Sequence, residues 1–167
     1  MSEYRSTGIL TDSELAEKIP PRERLERGPC AVIECVEEIP CNPCEEACPV
    51  GAIAVGDPIT NPPVVDFEKC TGCGACVGVC PGLAIFLLDL SGGTARVTLP
   101  HEFLPVPEPG DGVELLSRAG EVLGRGTVVR ARRAGTTWLI TVELPAQELL
   151  PGVRAIRSPY DPSRDRG

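Results

Sequence analysis

Aromatic residues are scarce in this chain: three Phe, two Tyr and one Trp among 167 residues. Ring packing therefore cannot supply much of a core. There is a single histidine, His101, with no cysteine beside it; it reads as a surface or linker residue and not as a metal ligand. No glycine-rich phosphate loop and no Ser/His/Asp set is visible, so no catalytic residue is assigned on this chain. No apolar run is long enough to span a membrane, and no positively flanked apolar signal segment opens the chain. What is abundant is Gly and Pro, 18 of each, and cysteine, nine in all. Without secretory features, cysteines grouped at metal-ligand spacing point to metallated thiolates in a reducing cytoplasm and not to disulfides. The composition suits a loop-rich fold in which bound metal replaces part of the hydrophobic core.

The net charge of −8 is unevenly placed. Residues 28–90 hold nine acids and one base, Lys69, whereas residues 91–167 hold nine acids and ten arginines. An acidic cysteine-rich half disfavours nucleic acid, whose phosphates attract basic surfaces. It favours docking on a basic patch of a redox partner, and the plainer alternative is that the acids keep a small surface soluble.

Four segments are expected, in an α+β fold. Residues 1–28 form an N-terminal arm in which Thr11-Asp12-Ser13 caps a short helix through Leu15 and Ile19, ended by Pro20-Pro21. Such an arm either wraps a partner or frays. Residues 29–90 contain an internal repeat. Sliding the chain by 32 positions lays Cys41, Cys44 and Cys48-Pro49 on Cys73, Cys76 and Cys80-Pro81, and Ala52-Ile53 on Ala84-Ile85. Each half reads as strand, cysteine loop, short helix ending in Cys-Pro, then strand, the two halves related by a pseudo-twofold. Residues 91–158 are richer in β-branched side chains, with strands expected over Val113–Leu116, Val122–Ala131 and Thr136–Leu144; they read as a small antiparallel β-barrel or sandwich that serves for docking. Residues 159–167 read as a disordered tail.

The run Cys70-Thr-Gly-Cys73-Gly-Ala-Cys76-Val-Gly-Val-Cys80-Pro81 carries the chemistry. Its spacing of two, two and three residues, closed by proline, resembles the bacterial ferredoxin-type 4Fe–4S pattern, in which the fourth cysteine serves a different cluster. Crossing the two halves of the repeat gives one complete set, Cys48, Cys70, Cys73 and Cys76. A structural zinc site is the competing reading, but zinc ribbons use separated cysteine pairs and do not need this run twice.

The other set is Cys41, Cys44 and Cys80 plus a loop residue that the repeat places at position 38, which is Glu38. Three readings stand side by side: Cys35 supplies the thiolate, Glu38 ligates through oxygen, or the site holds a 3Fe–4S cluster with one corner missing. Soft thiolate is preferred in iron–sulfur chemistry, which favours Cys35. Cys30 is spare and reads as a small buried hydrophobe. The expected cofactors are thus two 4Fe–4S clusters, performing one-electron transfer. The acids Glu37, Glu38, Glu45, Glu46 and Glu68 oppose adding an electron. Prolines remove amide donors near the first site, and Gly72, Gly74 and Ala75 let amides approach the second, so the first should have the lower potential. Arg130, Arg132 and Arg133 look basic, but Arg130 and Arg132 share one strand face, and a solvated sheet face is the ordinary explanation. Trp138 is read as core.

Residues 29–90 resemble the dicluster bacterial-type ferredoxin family through both cysteine runs. Three stretches carry a narrower resemblance: Gly28-Pro29 through Ile33-Glu34-Cys35, Ile39-Pro40-Cys41-Asn42-Pro43-Cys44, and Pro81-Gly82-Leu83-Ala84-Ile85-Phe86. With Pro100 through Pro105, they make the chain similar to ferredoxin-like small subunits of flavin-dependent amino-acid dehydrogenases of the proline, hydroxyproline or sarcosine type. That likeness implies a hetero-oligomer with flavoprotein dehydrogenase subunits and no flavin on this chain. Electrons would pass from the partner's flavin to an external acceptor. A freely diffusing ferredoxin is the first alternative. A zinc scaffold or nucleic-acid-binding barrel without redox role is the second.

Overall fold

Thr11 opens its helix with a reciprocal cap: its hydroxyl accepts from the Glu14 amide, and the Glu14 carboxylate accepts from the Thr11 amide at 2.9 Å. In the computed structural model, which describes residues 4–158, three single-turn helices come first: α1 (Tyr4–Thr7), α2 (Asp12–Leu15) and α3 (Arg22–Leu25). So short a helix does not hold itself together in water. Burial holds the second and third: Leu15 is wholly enclosed, as nearly are Arg24 and Leu25, whereas no residue of α1 is buried. The expected helix stops at Leu15, short of Ile19, and the arm from residue 4 onward packs against its own body. The tail expected over 159–167 lies outside the described residues.

The remaining elements are β1 (Cys30–Ile33), α4 (Pro43–Glu46), β2 (Ile53–Ala54), β3 (Val64–Val65), α5 (Ala75–Val79), β4 (Ile85–Asp89), β5 (Ala95–His101), β6 (Gly112–Leu116), β7 (Val122–Ala134), β8 (Thr137–Leu144), a 3₁₀ turn (Gln147–Leu149) and β9 (Ala155–Arg157). The first strand of the repeat, β1, pairs antiparallel with its last, β4, while β2 pairs with β3. The two cysteine helices, α4 and α5, pack together.

β1 and β4 are apolar on both faces because both faces are covered. Cys30, Val32, Phe86 and Leu88 turn to one side, into a core shared with Val97, Val113, Val128, Ile140, Val142 and Ile156. Ala31, Ile33, Ile85 and Leu87 turn to the other, under Cys44, Cys76 and Val77. This is the period-two alternation of a strand with a partner on each side.

The later strands form no closed barrel. They extend the cluster half's own sheet, in the order β1-β4-β5-β8-β7-β6-β9, every pairing antiparallel. β4 has a free hydrogen-bonding edge once β1 is paired, and β5 satisfies it. His101 corrects the sequence reading: it is buried at the end of β5, opposite Trp138, which is itself half-buried against the shared core. Among the described residues, no helix is long and apolar enough to cross a membrane.

Candidate metal centre

The loop after β3 is shaped by backbone bonds before any thiol is placed. Asp66 accepts from the amides of Glu68 and Lys69, and the Cys70 amide donates to the Asp66 carbonyl at 3.1 Å. Gly72 follows at φ +67, and a Cβ there would run into Pro29. Gly74, at φ +78, lies close to Leu139 and the tip of the Arg132 side chain, which a Cβ would displace. Gly72 needs glycine for conformation and for space, and Gly74 for conformation.

Cys70 sits half-buried and accepts from the Ala31 amide at 3.4 Å. Its pKa is drawn down to about 5, first by the Cys30 thiol donating to it, then by the Ala31 and Gly72 amides and the charge of Arg24, all against the cost of burial. Cys30 is pushed up in the same pairing, and by its own burial. Cys76 is pushed up to about 12, by burial and then by the neighbouring Cys70, Cys73 and Cys48. Those four thiols line one cavity, closed by Ala31 and Leu87. Cys48 accepts from the Ala52 amide at 3.2 Å, and Cys73 is exposed. Mutual repulsion between clustered thiolates is what a bound cationic centre offsets, since ligand thiols lose their protons on binding.

In the other thiol group, Cys44 is buried. Its pKa is pushed up by burial, then by Cys80 and Cys41. Cys41, Cys44 and Cys80 are thus neighbours. Cys35, half-buried just past β1, packs on the apolar cluster that contains Cys44, whereas Glu38 is exposed. Cys30 stands apart from this set, against Cys70. The donor chemistry in both places fits iron–sulfur ligation: soft thiolates on short loops, with amide donors reaching the sulfurs. No three His, Cys, Asp or Glu among the described residues converge on a single ion position. A cubane spreads its thiolates over separate iron corners, unlike zinc with its four ligands on one ion.

Two positioning roles escape sequence reasoning, and that of Arg132 corrects its reading as part of a solvated sheet face. Arg24, in the arm, is buried and donates to the carbonyls of Phe67 (2.6 Å), Gly28 (3.0 Å) and Cys70 (2.5 Å). Arg132, on β7, donates to the Cys73 carbonyl at 3.0 Å. Both act on backbone carbonyls, which leave no mark in the sequence of the loop they hold.

Comparison with known proteins agrees with this chemistry. Residues 63–86 match the family described as 4Fe-4S binding domain. The chain is 51% identical over 49 residues to one subunit of an ion-translocating oxidoreductase complex of Methanosarcina acetivorans, covering 29% of this chain and 17% of that one. It is 41% identical over 78 residues to an aliphatic sulfonate oxidoreductase, polyferredoxin-like subunit, of Pyrococcus furiosus, covering 41% and 44%. A ferredoxin-type protein of Haemophilus influenzae is 40% identical over 57 residues, covering 33% and 32%. The chain thus spans less than half the length of these relatives. No solved structure matches it. Residues 63–86 are a 4Fe–4S ferredoxin domain, and iron–sulfur electron transfer is the role that goes with it.

Proposed function

We propose that this chain is the iron–sulfur subunit of a hetero-oligomeric oxidoreductase, passing single electrons from a flavoprotein partner, an amino-acid dehydrogenase, to an acceptor. Cys48, Cys70, Cys73 and Cys76 would hold one 4Fe–4S cluster. Cys41, Cys44 and Cys80 would hold a second, completed by Cys35. The repeat in 29–90 would then be a pseudo-twofold dicluster unit, and the strands after residue 91 its docking platform. The flavin would sit on the partner, in a reducing cytoplasm.

The observation that carries the reading is that the second half's Cys80 neighbours Cys41 and Cys44, while the first half's Cys48 neighbours Cys76. Each thiol group draws on both loops, so the groups are held side by side by the packed helices α4 and α5. When bound, iron–sulfur groups take up and release one electron without making a bond to a substrate. This chain's residues supply the thiolates, the Ala31 and Ala52 amides that favour their charge, and the arginines that fix the loops.

Purification from native cells under anaerobic conditions, followed by iron, sulfide and flavin analysis, tests the proposal. Co-elution with flavin-bearing chains, at about eight irons per copy of this chain, is expected for two full cubanes. Elution alone, or with partners that bear no flavin, would overturn the subunit reading.

A further inference from the structure

The loop carrying Cys70, Cys73 and Cys76 covers only part of one sheet face. Its glycines, Gly74 and Gly78, rest on Leu139 and Ala134 of the β7–β8 hairpin. Beside it the same face continues uncovered, and a groove of about 350 Å³ runs along the step between loop and sheet. Arg96, Arg130 and Arg132 line it, with Val129 between them and Asp89 as its one acid. The register shift between Val128 and Arg130 leaves Val129 as an extra residue and brings it onto this face, 39% exposed.

Two observations make this groove more than a wet sheet face. Gly72, Cys73 and Leu87 line both the groove and the four-thiol cavity, so Cys73 is the wall between the candidate metal centre and the outside. The charge there is also opposite to that of the chain as a whole. Arg96 pairs with Glu143 at 3.0 Å, but neither Arg130 nor Arg132 is in an ion pair among the described residues. Around the first thiol set, by contrast, the exposed charges are Glu37, Glu38 and Glu46. The molecule therefore shows an acidic face at one centre and a basic groove at the other.

We propose that this groove docks an acidic electron-carrier protein, whose carboxylates meet Arg96, Arg130 and Arg132 while its redox group comes up against Cys73. The proposal rests on the electron-relay reading above. A protein surface fits better than a small phosphate ligand. Arg130 and Arg132 are spaced along a strand, two residues or roughly 7 Å apart, with apolar Val129, Pro29 and Leu87 near them. That arrangement suits several separate carboxylates around an apolar contact, whereas phosphate sites gather amide donors around one anion. One electron crosses at the contact. The carrier is reduced by the one electron that this chain's centre loses, with no proton moved and no bond made. The unlike faces would then give the relay a direction, with a basic donor at the acidic end and an acidic acceptor at Cys73.

The test is calorimetric binding of a purified acidic two-cluster ferredoxin to the intact, iron-loaded protein. Arg130→Glu should weaken binding about tenfold or more at low salt. Arg125→Glu, the same charge change on β7 but outside the groove, should leave it unchanged. Raising salt from ~20 to ~300 mM should abolish most of the difference. Equal binding by both variants, no binding by the unaltered protein, or displacement of the ferredoxin by flavin mononucleotide would each overturn the proposal. Iron and sulfide are assayed on the same samples. Their absence overturns the electron-relay reading, whereas loss of binding in Arg130→Glu with full iron content speaks for the groove alone.

Discussion

Glu34, at the end of β1, accepts from Arg154 Nε at 2.6 Å, although 120 residues separate the two. Arg118 donates to both carboxylate oxygens, at 2.6 and 2.9 Å. The Arg154 guanidinium also lies over the Phe86 ring at 5.0 Å. All three charged side chains are largely buried. Burial by itself would raise the Glu34 pKa, but the two guanidiniums hold it below the ordinary carboxylate range. The residue next to Cys35 is thus tied to the far end of the chain.

Removing that carboxylate should cost far more than an exposed ion pair. Glu34→Gln leaves the buried Arg154 guanidinium without a counter-charge and Arg118 with only the exposed Asp12 carboxylate at 3.8 Å, and a loss of about 3–5 kcal/mol is expected. Urea unfolding of the iron-loaded protein measures it. A loss under about 1 kcal/mol, the value of a solvated pair, would show that the network is not buried in solution.

Arg24→Leu removes donors from carbonyls that burial has cut off from water. A destabilisation of about 3 kcal/mol is expected, together with loss of iron from the Cys70 side first. Chelator challenge followed by iron counting reads the second effect. Unchanged iron release would mean that Arg24 supports the arm only.

Gly72→Ala places a methyl group against Pro29 at a positive φ. The loop must then move, and on the proposed two-cluster reading bound iron should fall to about half, with Cys41, Cys44 and Cys80 still loaded. Full iron content in this variant would contradict the close approach.

The completing ligand of the first group separates by substitution. Cys35→Ala should lower iron content to about that of a three-iron site, while Glu38→Ala and Cys30→Ala should keep it full. Iron loss on Glu38→Ala instead would assign the position to oxygen.

His101 adds a pH dependence. Burial lowers its pKa from 6.5, its Phe103 hydrogen bond opposing, and its Nε2 has no partner. Below pH 6.5 the unfolded chain takes up a proton there that the folded chain resists. Stability is therefore lost as pH falls through that value toward the lower folded pKa. Melting curves of the unaltered protein and His101→Leu should differ progressively less in the unaltered protein's favour as pH drops from ~7.5 to ~5.5. Parallel pH curves for the two would refute it.

Much of the site was legible because ligand spacing is local. Cys70, Cys73 and Cys76 fall on one tight loop whatever surrounds it, and the 32-residue repeat paired that loop with Cys41, Cys44 and Cys48. The strands β7 and β8 were legible too, with bounds off by up to three residues, since alternation and β-branching are also local signals. Which strands would pair was not. A strand's pattern says that one face is buried, but not whose edge it joins, so the strands expected as a separate barrel or sandwich lie, antiparallel as expected, in the same sheet as β1 and β4.

The sequence by itself determined the metal chemistry, because thiolate spacing limits what a short loop can ligate. Only the tertiary structure decided what surrounds those thiols: Arg24 reaching the Cys70 carbonyl across 46 residues, Arg132 reaching Cys73 across 59, and Arg154 reaching Glu34 across 120. These contacts are charges meeting backbone or buried carboxylate through space. Chain separation does not enter their energy, and so local sequence carries no trace of them.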